Sequence, residues 1–191
     1  DKTILLNEQF SGNPTIIVHP GGYSLNPSTE SDIIKMKELV SKSVKELDLK
    51  NVNFLLENMP PYAWFFGGRW NSNVFLNAED MRNYCDETRL RVCYDICHSH
   101  LNCNKNNLKV VDELLKIKDN FDHFHISDAG EEDGEGLQFG EGDLPFEKVI
   151  PILNQFNEKT FAIEVWKGHE QGGKGFEVFL DKIKEAGLIV T

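Results

Sequence analysis

Five ionisable side chains stand at the ends of apolar runs: His19 in TIIVHPGG, Glu57 in NFLLENMPP, Asp95 in RVCYDICHS, His125 in HFHISDAG and Glu164 in TFAIEVWKG. Such runs read as strands buried on both faces, where an ionisable group is costly unless it is paired or bound to a cation. Taken singly, a strand-end acid can simply cap a helix or meet a lysine. Taken together, the five recur at separations of 38, 38, 30 and 39 residues, each the length of one strand-helix unit. Helix caps have no reason to keep that period. If the three acids converge, each pair at about 4 Å repels by about 4 kcal/mol at an effective dielectric of 20, and a divalent cation removes that cost. Three carboxylates and an imidazole suit Mn, Mg, Co or Zn, the oxygen-rich set leaning towards Mn or Mg.

The elements that must position these groups follow from the same pattern. Helical periodicity is expected over 31–48, 77–88, 107–119, 144–156 and 174–187. In the first, Ile34, Met36, Leu39, Val40, Val44 and Leu47 are assigned to one apolar stripe with Ser31 as N-cap, and Pro151 is expected to kink or shorten the fourth. Strict alternation of strand and helix predicts an α/β fold with a parallel sheet, either a TIM (β/α) barrel or an open, doubly wound sheet. A complete eight-unit barrel takes about 250 residues. The 191 residues present read as one domain, 1–191, holding about five of eight βα units. The chain opens DKTILLNEQF, without Met or a signal-like segment, which points to a start further upstream. Missing N-terminal units would then complete the barrel, or a second copy in a homo-oligomer would cover its open edge. Two stretches, 60–76 and 130–145, read as long loops after strand ends, the side on which such folds build sites.

Composition narrows the function. No apolar run reaches the roughly 18 residues of a membrane-spanning helix. With 31 Asp and Glu against 20 Lys and Arg, the net charge of -11 repels nucleic acid. Cys85, Cys93, Cys97 and Cys103 lack CxxC spacing and fit free thiols in a reducing, cytoplasmic setting. No GxSxG elbow, Walker loop or HExxH occurs. Cys97 and His98, read as neighbours on a strand end, point to opposite faces, which argues against a Cys-His nucleophile. His100, His123 and His169 default to packing or exposure, although His123 shares a strand face with His125.

In order along the chain, VHPGG, LLENMP, YDICHSH, FHISD, DGEGLQFGEG and AIEVW resemble the xylose isomerase-like TIM-barrel superfamily, which includes sugar-phosphate isomerases and epimerases and endonuclease IV. The resemblance runs from about residue 15 to the end and corresponds to the superfamily's last five βα units. It implies a principal divalent metal on Glu57, Asp95, His125 and Glu164. It also implies that His19 and His98 hold additional metal, as in endonuclease IV-like members, or that His98 touches substrate, as in the sugar enzymes. Asp133 and Glu135 join this second set. Endonuclease IV-like members carry Asp-x-His where this chain has Asp133-Gly134-Glu135, and the carboxylate disfavours a three-zinc centre. Gly140-Glu141-Gly142 resembles a turn of the sugar isomerases. In the 60–76 stretch, Tyr62, Trp64, Phe65, Phe66 and Trp70 can stack on a sugar ring or pack together, and Arg69 can hold a phosphate or carboxylate. Trp64 and Arg69 are the expected substrate contacts.

The resemblance thus implies a divalent-metal-dependent sugar or sugar-phosphate isomerase or epimerase working through an enediolate. Glu57 and Glu164 would be both ligands and proton carriers. Two readings compete: an endonuclease IV-like phosphodiesterase (an AP endonuclease) using two or three metals, and a non-catalytic fragment or binding subunit. The expected partner is a small-molecule sugar, with neither nucleic acid nor membrane.

Overall fold

In the computed structural model of the chain, residues 13–65 and 68–190 are described, Trp64 and Phe65 by their backbone alone. The expectations for Phe66 and for the Trp64 and Phe65 side chains lie outside the described residues. The elements are β1 (Thr15–Val18), β2 (Tyr23–Ser24), α1 (Glu30–Lys45), β3 (Asn53–Glu57), β4 (Tyr62–Phe65), β5 (Gly68–Ser72), α2 (Ala78–Thr88), β6 (Arg91–Asp95), α3 (Ile96–Asn106), α4 (Val110–Ile117), β7 (Phe121–Ile126), β8 (Asp128–Gly130), β9 (Gly134–Leu137), α5 (Phe146–Leu153), β10 (Thr160–Ile163) and α6 (Glu170–Glu185).

The five apolar runs form one parallel sheet in the order β1-β3-β6-β7-β10. Each unit lies beside the next, with no reversal of order, which is barrel topology rather than a doubly wound sheet. Strands in a sheet lie about 4.8 Å apart, so β3 and β10, with two strands between them, would stand roughly 14 Å apart if the sheet were flat. Glu57 and Glu164 at their ends nevertheless bring ligand atoms within 4.8 Å of each other. A sheet curled into a half-barrel turns both strand ends towards one point in this way. Val92, Tyr94, Phe121, Phe124 and Ile126 of the sheet share one core with Met81, Leu114, Ile117, Val149 and Phe179 of the helices, each such burial being worth about 1.5–3 kcal/mol.

Several local expectations need correction. The α1 cap is Thr29 rather than Ser31: Thr29 is extended, and its hydroxyl accepts from the Asp32 N–H at 3.3 Å. The buried stripe is turned as well. Ile33, Met36, Val40 and Val44 pack on the core, whereas Ile34, Leu39 and Leu47 are 52%, 63% and 51% exposed. The i, i+3, i+4 rhythm passes through Ile33, and Leu39 and Leu47 flank an apolar groove beside the edge strand β1. The run 91–99 stops being a strand at Asp95 and enters α3 directly, so Cys97 and His98 sit in a first helical turn. Cys97 packs with Leu101 and Ala129, and His98 bonds elsewhere, so the Cys-His pair fails for a different reason. Residues 60–76 are not a simple loop: β4 and β5 form an antiparallel hairpin with β2 beside it. Residues 130–145 likewise hold the β8-β9 hairpin. Pro151 does shorten its helix, which ends at Leu153 and tightens into a 3-10 turn. All four cysteines are free and buried. Among the described residues, no helix is long and apolar enough to cross a membrane.

Candidate metal centre

The strand ends deliver Glu57, Asp95, His125 and Glu164 to one point, with one ligand atom from each lying within 4.8 Å of all the others. His125 Nδ1 is the hub, 2.8 Å from Glu57 Oε1, 3.3 Å from Glu164 Oε1 and 3.8 Å from Asp95 Oδ2. An ion with ligands at about 2.0–2.3 Å holds its donor atoms roughly 3–4.6 Å apart, so the set fits a divalent ion. Three members are buried and Glu164 is 47% exposed, which leaves one side of the cluster open to solvent. Asp95 satisfies two readings at once. Its Oδ1 caps α3 by accepting from the His98 N–H at 2.7 Å, while Oδ2 faces the cluster.

The second expected set flanks this point unevenly. His19 Nε2 lies 3.0 Å from Glu57 Oε2, and the His19 and His98 rings stand 6.2 Å apart, edge to face. His98 Nδ1 donates to the Asn58 carbonyl at 2.9 Å, and its Nε2 meets Glu135 Oε1 at 3.3 Å. Asp133 turns away to Arg69, its Oδ2 3.1 Å from Nη1. Arg69 is therefore already held by Asp133 and Glu132, and its guanidinium lies 3.5 Å from the centre of the Tyr62 ring. That engagement weakens its expected role as a free anion contact. His100 pairs with Asp143 at 2.8 Å, and His123 bonds Thr160 Oγ1 at 2.6 Å.

Protons balance the acids. Burial pushes Glu57 up, but hydrogen bonds from His125 and His19 outweigh it and hold the carboxyl at about 2. Burial raises Asp95 to about 6, opposed by His98. Burial disfavours the charged form of His98, yet Asp95, Glu135 and Glu57 lift it to about 10. Burial opposes charge on His125 too, and contacts with Cys93, Glu164 and Glu57 more than reverse this. In the metal-free chain the histidines' contribution to stability is full below their ordinary pKa and fades as pH rises through the raised values. That of Glu57 is present above its ordinary pKa and fades as pH falls towards about 2. A cation entering the cluster has to displace the His125 proton. Metal affinity is therefore expected to rise with pH by roughly tenfold per unit for each proton displaced. Calorimetry in buffers of different ionisation enthalpy counts that proton, and a pH-independent affinity would contradict the arrangement.

Two positioning residues went unread in the sequence. The Asn58 side chain ties β3 to β6, donating to Asp95 O at 2.9 Å and accepting from Asp95 N–H at 2.7 Å. Asn58→Ala is expected to lower metal affinity by about 10–100-fold, measured by competition with a chelating dye, because it frees the backbone that aims Asp95. Asp128 in the FHISD segment accepts from the N–H groups of Ala129, Gly140, Gly142 and Leu144. It folds the Gly140-Glu141-Gly142 turn against β8, where a Cβ on Gly142 would come within 2.2 Å of Ala129 O. The signal available was a buried acid followed by a glycine-rich stretch, whose free N–H groups need an acceptor.

A family profile described as a xylose isomerase-like TIM barrel matches residues 3–183. An uncharacterized protein of Methanocaldococcus jannaschii is 27% identical over 174 residues, which cover 89% of this chain and 60% of that one. A D-tagatose 3-epimerase-like protein superimposes with a TM-score of 0.64 at 20% identity, covering 90% of this chain and 64% of the other. Endonuclease IV from Thermus thermophilus does so with a TM-score of 0.55 at 20% identity, covering 90% and 62%. The chain thus spans less than two thirds of the length of each of these relatives. With the profile covering nearly all of its sequence and its strands in barrel order, the chain belongs to the xylose isomerase-like TIM-barrel family.

Proposed function

We propose that the chain carries the catalytic half of a divalent-metal-dependent sugar or sugar-phosphate isomerase or epimerase. The observation that carries this reading is the meeting of Glu57 and Glu164 around His125 from strands far apart in the sheet, one glutamate buried and the other half open to solvent. Glu57, Asp95, His125 and Glu164 would hold a divalent ion, which would supply Lewis acidity towards the carbonyl of an open-chain sugar. Glu57, kept ionised by its histidines, takes the proton from the carbon beside that carbonyl. Glu164, on the solvent side, returns a proton to the opposite face. His98, bonded through both ring nitrogens to Asn58 and Glu135, positions Glu135 to receive a substrate hydroxyl. The remaining walls of the mouth would come from further chain or from a second copy.

The phosphodiesterase reading has His19 and His98 in its favour. Against it, Glu135 already occupies the His98 nitrogen that a second ion would need. Metal counting and isotope exchange separate the two. One exchangeable Mn or Mg ion per chain, with solvent deuterium appearing beside the carbonyl of a ketose such as D-tagatose, is the expected result. Two or more tightly held zinc ions, with cleavage of abasic DNA and no carbon-bound exchange, would sink the isomerase reading.

A further inference from the structure

One layer deeper in the half-barrel lies a second group of ligands. Cys93 on β6 pairs with His123 on β7, as Asp95 pairs with His125 two residues further on. Side chains two residues apart share a strand face, so Cys93 and His123 lie beneath Asp95 and His125, roughly 7 Å closer to the strand starts. Ligand atoms of Cys93, His123 and His125 all fall within 4.8 Å of one another. Among the described residues, the hydrogen bond of His123 is made by Nδ1, to Thr160 Oγ1, which leaves its Nε2 without a partner.

We propose that Cys93, His123 and His125 form a site for a thiophilic metal ion, separate from the oxygen-rich site above it and sharing His125 with it. One thiolate and two imidazoles prefer softer ions such as zinc, cadmium or copper(I), whereas three carboxylates and one imidazole prefer manganese or magnesium. The structure supplies a way in. A cavity of about 510 Å³ at the strand starts is lined by Asn53, Arg91, Asp122, His123 and Thr160, so it opens onto His123, while Cys93 and His125 are buried. When the sulfur-metal bond forms, the thiol proton leaves to solvent. The shared histidine makes the two sites antagonists: an ion below holds the ring that completes the set above. A soft ion would therefore lower the protein's capacity for a hard one. Only this antagonism rests on the proposed function of the upper site, and the sulfur ligand can be tested without it.

Cadmium is the probe, because a cadmium-thiolate bond has its own ultraviolet charge-transfer band. Titrating the metal-free chain with Cd2+ is expected to raise that band to saturation at one sulfur-bound ion per chain. Cys93→Ser should abolish it, and His123→Asn, on the cavity wall and less disruptive to folding, should weaken it by at least about tenfold. Glu57→Gln, which removes a carboxylate from the upper site and leaves Cys93 and His123 unaltered, should leave the band intact. Excess Mn2+ should shift the cadmium midpoint upward in the unaltered chain. No band, a band that survives Cys93→Ser, one that is lost in Glu57→Gln, or a midpoint indifferent to His123→Asn would overturn the site. A midpoint that Mn2+ leaves unmoved would overturn the sharing of His125.

Discussion

Glu164→Gln and Glu57→Gln are each expected to lower kcat for sugar isomerisation by about 10²- to 10⁴-fold, the usual worth of a positioned acid or base. A glutamine keeps an oxygen for the metal but cannot carry a proton, so the loss should fall on kcat rather than on metal content. The two variants should also differ. Glu57 is buried against His125 and His19, whereas Glu164 is 47% exposed, so each serves one face of the substrate carbon. A variant lacking one carrier should still exchange deuterium into the epimer that the other carrier serves. Full turnover in either variant, measured with metal bound, would remove the assignment. Loss of turnover together with loss of metal would show only that the ligand set had failed.

Asp128→Ala is expected to destabilise the fold by about 3–5 kcal/mol, since a hydrogen bond to a charged group contributes about 1.5–3 kcal/mol and two of its four are fully buried. The carboxylate is 1% exposed and accepts from four backbone N–H groups at 2.8, 2.8, 3.1 and 3.2 Å. The Ala129 and Leu144 donors are buried, and each unmet buried donor costs about 1–3 kcal/mol before water relieves it. For a chain of this size the melting temperature should fall by roughly 6–20 °C, read by scanning calorimetry. Asp128→Asn should land between the two, since its amide keeps one accepting oxygen and turns an N–H₂ towards the other donors. The damage should also reach the site. Asp128 pairs with Leu137 across the hairpin that carries Glu135, so the contact of Glu135 with His98 should loosen with it. An Asp128→Ala protein as stable as the original would show that these four hydrogen bonds are replaced by water without cost.

Much of this molecule was legible in its sequence. Apolar runs that end in one ionisable residue are visible locally, because a charge is costly in a strand expected to be buried, and their unit-length spacing carried the strand-helix alternation. The hairpin of β4 and β5 was not legible. Its strands are short and rich in Gly, Asn and aromatic residues, and they are held by pairing with each other and with β2 rather than by any alternation of their own. Asn58 and Asp128 escaped for a related reason. Their work is done on backbone groups 37 and up to 16 residues away, and composition carries no record of such a partner. The sequence by itself thus determined which residues stand at the strand ends and that strand and helix alternate, while the order of the strands was decided by the structure. Only the tertiary structure decided that they meet, because the approach of Glu57 to Glu164 depends on the curl of the whole sheet. Strand twist accumulates over many residues and belongs to no single segment.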